Sequence, residues 1–109
     1  MKKTQEATKD FLNSIMAVIA KNSSKNYGML VFKNMKNRLA KDFPFLSFIK
    51  VGDKDIEIDS RINSINIHKI RELFNRIIGI LGPNILKLLI RDQLDYEDLK
   101  YMGKIGVRF

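Results

Sequence analysis

The chain contains no cysteine and only one histidine. Without cysteine it cannot form disulfides, thiolate nucleophiles or cysteine-ligated zinc and iron–sulfur centres. A single histidine adds little, because transition-metal sites are built mainly from several imidazole and thiolate ligands. We therefore predict no metal and no cofactor. The lack of cysteine also favours a cytoplasmic protein, since disulfides accumulate in oxidising compartments.

Long apolar runs are absent as well. The segment FLNSIMAVIAK is interrupted by Asn13 and Ser14 and ends at Lys21. It falls short of the ~18 consecutive apolar residues that a membrane-spanning helix needs. The first residues, MKKTQEATKD, are not followed by the apolar run of a signal peptide. The sequence predicts a soluble protein that is not exported and has no membrane span.

No catalytic or nucleotide-binding motif is present. The patterns GxGxxG, GxxxxGK[ST] and GxSxG do not occur, and the glycines are too dispersed to cradle a phosphate. His68 precedes Glu72 by four residues, which suits either a general base oriented by a carboxylate or an exposed pair on one helix. No nucleophile is indicated nearby, so the exposed pair is favoured. We predict that the protein is not an enzyme.

Acidic residues occupy alternate positions in one short segment, namely Asp53, Asp55, Glu57 and Asp59. On a strand they would share one face, which suits either a hard cation or simple solvation. A calcium loop also needs a central glycine, and DKDIEIDSRINS has none. We interpret these residues as a solvated strand face. A later acidic group is typical of helix ends and caps: Asp92, Asp95, Glu97 and Asp98.

Apolar residues recur at three- and four-residue steps over residues 4–21 and predict a first helix, with Thr4 as its N-cap. The next segment, NYGMLVFKNMKNRLAKDFPF, has two interpretations. Its apolar spacing favours a second helix, whereas YGMLVF also suits a short strand before a helix that begins near Asn34. We favour the helix. Pro44 ends the element in either case, because the residue before a proline avoids helical geometry.

The clearest local signal is a β-hairpin near residues 46–59. Apolar and charged residues alternate there, and Gly52-Asp53 suits the two central positions of a type II′ turn. The tail KIGVRF also alternates, with Ile105, Val107 and Phe109 on one side. This pattern suits a third strand that joins the hairpin.

Two further helices are predicted on either side of a proline. The first covers residues 67–81, with Asn66 as its N-cap and Gly82-Pro83 as its stop. Pro83 then opens a helix through NILKLLIRDQL. Asp95, followed three residues later by Asp98, resembles a capping box for a last helix.

Together these elements predict a single α+β domain over residues 1–109, in which about four amphipathic helices pack on a small antiparallel sheet. The predicted core consists of Phe11, Ile15, Val18, Met35, Leu39, Phe48, Ile56, Ile58, Ile70, Phe74, Ile77, Leu81, Leu88 and Leu89.

Positive charge is concentrated in the first half of the chain. The net charge is +8, with ten Lys and Arg against three acids in residues 1–50 and ten against nine in residues 51–109. No acid lies between Asp10 and Asp42. The cations of this acid-free span are the predicted nucleic-acid-binding residues: Lys21, Lys25, Lys33, Lys36, Arg38 and Lys41.

Two functions fit these observations. The favoured one is a small basic, non-catalytic accessory protein that contacts nucleic acid, because Lys and Arg pair with phosphates and Asn reaches base edges or sugars. The alternative is a protein-interaction module that contacts an acidic protein surface or self-associates through GILGPNILKLLI. A general abundance of Lys and Asn would also give a solvated basic helix face, so charge alone does not decide between them.

Overall fold

The computed structural model describes residues 2–52, 55–81 and 89–107. The elements follow in the order α1 Thr4–Asn22, α2 Lys25–Leu39, β1 Ile49–Val51, β2 Ile56–Ile58, α3 Ile67–Leu81, α4 within residues 89–93, and α5 Tyr96–Ile105. Short 3-10 segments cover Pro44–Phe48 and Ser60–Ser64. This combination of helices with a small antiparallel sheet agrees with the predicted α+β class.

Helix α1 is central to the packing, with α2, α5 and strand β2 against it. Its apolar stripe is fully buried at Ala7, Phe11 and Ile15. The Phe11 ring stacks on that of Phe74 in α3, with centroids 4.2 Å apart. Burial of such apolar side chains is the main stabilising term of a fold of this size.

The segment with two interpretations, residues 27–32, is helical and belongs to α2. Ser24 caps this helix, because its Oγ accepts a hydrogen bond of 3.1 Å from the Tyr27 amide. Helical spacing buries Phe32, Met35 and Leu39 on one side, where α2 packs on α1 and β1. The favoured prediction of a helix is therefore confirmed, and its true N-cap is a residue that the sequence analysis did not single out.

The predicted hairpin is confirmed over narrower bounds. Ile49 pairs with Ile58 and Val51 with Ile56 in antiparallel register. The Gly52 amide donates to the Asp55 carbonyl at 2.9 Å, which continues this register by one pair. Gly52 therefore precedes the turn, and its predicted place as the first central residue is wrong. Asp53 and Lys54 lie outside the described residues.

The predicted C-terminal strand is not confirmed. Ile105 is the last residue of α5, and Gly106 closes the helix in the left-handed conformation, with φ 98°. The amides of Gly106 and Val107 both donate to the Met102 carbonyl, which turns the chain back on the helix. Over the ranges that the structure describes, the sheet contains β1 and β2 alone, and Phe109 lies outside them.

The predicted helix caps have mixed outcomes. Thr4 is not an N-cap, because Lys3 takes that position and the Thr4 hydroxyl is hydrogen-bonded to the Tyr101 hydroxyl at 2.7 Å. Asn66 does cap α3, since its Oδ1 accepts from the His68 amide at 2.8 Å. The capping box of Asp95 with Asp98 at the start of α5 is also confirmed.

Most of the predicted core is buried, namely Phe11, Ile15, Met35, Leu39, Ile56, Ile58, Ile70, Phe74 and Ile77. Val18, Phe48 and Leu81 are half-buried and pack against it. Leu89 is 40% exposed, which contradicts the prediction, because Ile90 and Leu94 take the buried face instead. Leu88 and the predicted helix start at Pro83 lie outside the described residues.

Of the helices in the described ranges, none combines the length and the apolar character that crossing a membrane requires.

Candidate nucleic-acid interface

The outward side of α2 is the surface on which the predicted binding residues lie. Helix α2 packs on α1 closely, because Gly28 has no side chain at the contact and an added Cβ would overlap the Met16 sulfur. The opposite side of the helix is exposed to solvent at Leu30, Lys33 and Asn37. The α1–α2 contact therefore fixes which face of α2 points outward.

The predicted cations lie along both sides of the outward face of this helix and just beyond its two ends, and we call this set the stripe. Lys21 and Lys25 lie on either side of the short connection between α1 and α2, and both are exposed. Lys33 and Arg38 are exposed on α2, and Lys41 is exposed just beyond its end. At ~1.5 Å per residue, the part of the stripe on α2, from Lys25 to Arg38, is about 20 Å long.

Lys36 is the exception within the predicted set. It is half-buried, and it lines a small apolar cavity of about 30 Å³ beside Leu12, Met35 and Val51. The aliphatic part of a lysine often covers apolar surface in this way while its ammonium remains in water. Lys36 therefore belongs to the edge of the stripe and the other cations to its exposed face.

The predicted cations are also notable for their lack of ion pairs in the part of the chain that the structure describes. Within the described ranges, no carboxylate lies at ion-pair distance from any of the six. The two acids that bracket the acid-free span are paired elsewhere. Asp10 lies 2.6 Å from the Lys2 ammonium, and Asp42 lies 3.3 Å from the Arg76 guanidinium. The positive charge along α2 is consequently not neutralised by any carboxylate of residues 2–52, 55–81 and 89–107.

Uncharged residues occupy the middle of the same face. Tyr27 and Leu30 are 53% and 54% exposed, although most apolar side chains of the protein are buried. Asn26, Asn34 and Asn37 are exposed beside them. The surface thus combines apolar, amide and cationic groups.

The phenylalanines near this helix are engaged in the protein interior. Phe32 and Phe43 are buried. Phe45 packs edge-on against Phe43 with centroids 6.0 Å apart, and the Arg61 guanidinium lies 4.7 Å from the Phe48 centroid. These rings therefore pack within the protein and present no stacking platform for bases.

The other candidate groups resolve into ordinary surface contacts. His68 is exposed, and the Glu72 carboxylate lies 3.8 Å from the Lys69 ammonium. Along the acidic hairpin, Asp55 lies 3.5 Å from the ammonium of Lys9. These separate contacts agree with a solvated face.

Asp59 at the end of the hairpin has a partner close in sequence. Its carboxylate lies 2.9 Å from the Arg61 guanidinium, and it also accepts a hydrogen bond from the Arg61 amide. The hydrogen bonds from Arg61 lower the pKa of Asp59 from 3.8 to about 2. The proposed self-association segment GILGPNILKLLI falls largely on residues 82–88, outside the described ranges.

A second charged site, which the sequence analysis missed, joins the start of the chain to α5. The Lys2 ammonium lies 2.6 Å from both Asp10 and Asp95 and 3.1 Å from Asp98. These three carboxylates lie within 4.8 Å of one another. Such spacing would suit a divalent cation, but the ammonium already lies among the carboxylates. We call these four residues the Lys2 cluster.

The protonation of the Lys2 cluster is set by burial and by its mutual contacts. Burial first, and the neighbouring Asp10 second, raise the pKa of Asp98 from 3.8 to about 6. Burial acts to lower the pKa of Lys2, but its hydrogen bonds to the three carboxylates prevail and raise it. The Lys2 ammonium lowers the pKa of Asp95. No local motif predicts this cluster, because Asp98 and Lys2 are brought together only by the packing of α1 on α5.

Comparison with known proteins adds no relative: no family model, no curated protein and no solved structure matches the chain.

Proposed function

We propose that this protein is a non-catalytic accessory protein that binds nucleic acid through the exposed side of α2. The observation that carries the proposal is the stripe of cations from Lys21 to Lys41, none of which has an acidic partner among the described residues. A cation that is already paired within the protein must lose that partner before it can bind phosphate. The α2 cations do not have this cost, whereas Lys2 and Arg76 do. The cytoplasmic compartment expected from the cysteine-free sequence is part of the proposal.

Binding of this kind is driven by counterion release. Each phosphate that a Lys or Arg neutralises sets free a condensed cation, so affinity falls as salt rises, with a slope of about −0.9 per contact for duplex DNA. Four or five contacts along α2 would give a loss of roughly 10²-fold or more between 50 and 200 mM salt. This dependence is the signature that separates phosphate binding from apolar association.

The test is a titration of short nucleic acids followed by NMR and fluorescence anisotropy. We expect the amide signals of residues 21–41 to shift. The double variant Lys33→Gln/Arg38→Gln should weaken binding and reduce the salt slope by about two, one for each lost contact. The matched control Lys100→Gln/Lys104→Gln removes the same charge from α5 and should change affinity far less.

Two results would overturn the proposal. One is unchanged spectra at high micromolar nucleic acid of every form. The other is an equal loss of affinity in both double variants, which would show that net charge alone attracts the ligand. Circular dichroism of both variants checks that they fold, and all four substituted residues are exposed.

An acidic protein surface is the alternative partner for the same face, and the exposure of Tyr27 and Leu30 favours it. Such an interaction module would leave the spectra unchanged with nucleic acid. If it self-associates, its sedimentation coefficient would rise with protein concentration.

A further inference from the structure

A row of uncharged side chains runs along the middle of the exposed side of α2. Tyr27, Leu30, Asn34 and Asn37 are all exposed, and they follow one another at steps of three or four residues. At ~100° per residue, Leu30, Asn34 and Asn37 lie within about 60° of one another around the helix axis. They therefore form one line along the helix, which a ligand lying on α2 would meet first.

Cations flank this row on both sides. At ~100° per residue, Lys33 lies about 60° to one side of Leu30 and Arg38 about 80° to the other. Both are exposed, and neither has an acidic partner within the described ranges. The surface thus has a neutral amide and apolar centre between two charged edges.

We propose that α2 enters the major groove of duplex DNA and contacts A·T base pairs there. The inference rests on the nucleic-acid-binding function proposed above. A helix with its side chains is about 10–12 Å across, and the major groove of B-DNA is about 12 Å wide. A helix in this groove has base edges beneath its centre and a phosphate backbone on each side. The neutral row would meet the bases, and Lys33 and Arg38 the two backbones.

The composition of the row indicates which bases it contacts. An asparagine amide matches the paired donor and acceptor of adenine, and an apolar side chain packs on the methyl group of thymine. Asn34 and Asn37 supply the amides, and Leu30 supplies the apolar contact. Guanine is contacted mainly by Arg or Lys and cytosine by Asp or Glu, and the centre of the row has none of these.

Single strands and RNA duplexes fit this surface less well. Proteins bind single strands by stacking successive bases on aromatic rings, and the row offers only Tyr27, since Phe32 and Phe43 are buried. The major groove of an RNA duplex is deep and too narrow for a helix. Both alternatives are therefore direct comparisons in the test.

The test measures fluorescence anisotropy at fixed salt with four probes of ~16 nucleotides or base pairs. Two are DNA duplexes, one A·T-rich and of non-repeating sequence and the other of G·C pairs. The third is one strand of the A·T-rich duplex, and the fourth is the RNA duplex of the same sequence. The A·T-rich DNA duplex should bind about tenfold or more tightly than the other three. Asn34→Ala/Asn37→Ala should remove most of this preference and leave binding to G·C DNA unchanged. Lys33→Gln should weaken binding to all duplexes alike, because it contacts phosphate.

Each outcome decides between the two proposals. Equal or tighter binding of the G·C duplex, the single strand or the RNA duplex would overturn this inference and leave nucleic-acid binding in place. An equal loss of affinity for all four probes in Asn34→Ala/Asn37→Ala would also overturn this inference and leave nucleic-acid binding in place. No binding to any of the four probes would overturn both proposals.

Discussion

Two buried threonine hydroxyls on α1 have opposite surroundings. The Thr4 hydroxyl is hydrogen-bonded to Tyr101 at 2.7 Å. The Thr8 side chain is fully buried, and its hydroxyl has no hydrogen-bond partner in the part of the chain that the structure describes. A satisfied hydrogen bond adds about 1 kcal/mol to stability, whereas a buried polar group without one costs about 1–3 kcal/mol.

Substitution by valine, which has nearly the same shape, should therefore change stability in opposite directions at these two positions. We expect Thr8→Val to raise the free energy of unfolding by about 1 kcal/mol, because it removes the unpaired hydroxyl. Thr4→Val should lower it by about 1 kcal/mol or more, because it leaves the Tyr101 hydroxyl unpaired. Urea unfolding of both variants measures the difference. A loss of stability in Thr8→Val would contradict the expectation.

The same residues show why some contacts were predictable from the sequence and others were not. Asn66 and Asp95 cap helices through amides two and three residues away, so residue type and position were enough. The partner of Thr4 lies 97 residues away, and that of Lys2 at Asp95 lies 93 residues away. Such pairs depend on how α1 packs against α5, which no local pattern encodes.

Among the elements, α2 is the one whose type the sequence left open. Branched and aromatic residues around Gly28 fit a strand as well as a helix, because propensity is only a weak preference. Packing decides the matter: as a helix, α2 buries Phe32 and Met35 and places Gly28 against Met16 of α1. The glycine that made a strand plausible is the residue that lets the two helices approach.

Glycine-to-alanine substitutions test this role. Alanine usually stabilises a helix interior by about 0.5–1 kcal/mol relative to glycine. Gly79→Ala should follow that rule, because an added Cβ there meets no atom within 4 Å. Gly28→Ala should gain less than this, because its Cβ would overlap the Met16 sulfur and the Met16 side chain must shift to make room. Thermal unfolding compares the two, and equal stabilisation by both would show that the α1–α2 contact adjusts freely.

The candidate interface was partly predictable for a similar reason. Lys and Arg are mostly exposed in folded proteins, and five of the six predicted cations are exposed here. The amphipathic spacing could not show that Asp42 pairs with Arg76, which lies 34 residues away. Without that pairing, the carboxylate next in sequence to Lys41 would have been free to neutralise the end of the stripe.

For the molecule as a whole, the Lys2 cluster makes stability depend on pH. The pKa of Asp98 rises from 3.8 to about 6 on folding, through burial first and the nearby Asp10 second. The folded protein therefore binds the Asp98 proton more tightly than the unfolded chain does. The contribution of Asp98 is fully present below about pH 4 and is lost as the pH rises through about 6.

Asp98→Asn should flatten this dependence, because the amide cannot ionise yet can still accept the Asp95 amide hydrogen bond at the start of α5. We expect the decline in unfolding free energy of the parent protein between pH 4 and 6.5 to be much smaller in the variant. Asp10→Asn should shift the decline to lower pH, since Asp10 raises the pKa of Asp98. Urea unfolding across this range measures both, and an unchanged decline in Asp98→Asn would assign it to other groups.

The contacts between α1 and α5 also set an order of events during synthesis. Thr4 leaves the ribosome 97 residues before Tyr101, its hydrogen-bond partner. At ~5–20 residues per second, α1 waits about 5–20 s for this partner and for the carboxylates of Asp95 and Asp98. Until then Phe11 and its apolar neighbours are only partly shielded from solvent. The nascent chain is therefore expected to reach its full stability only after α5 has emerged.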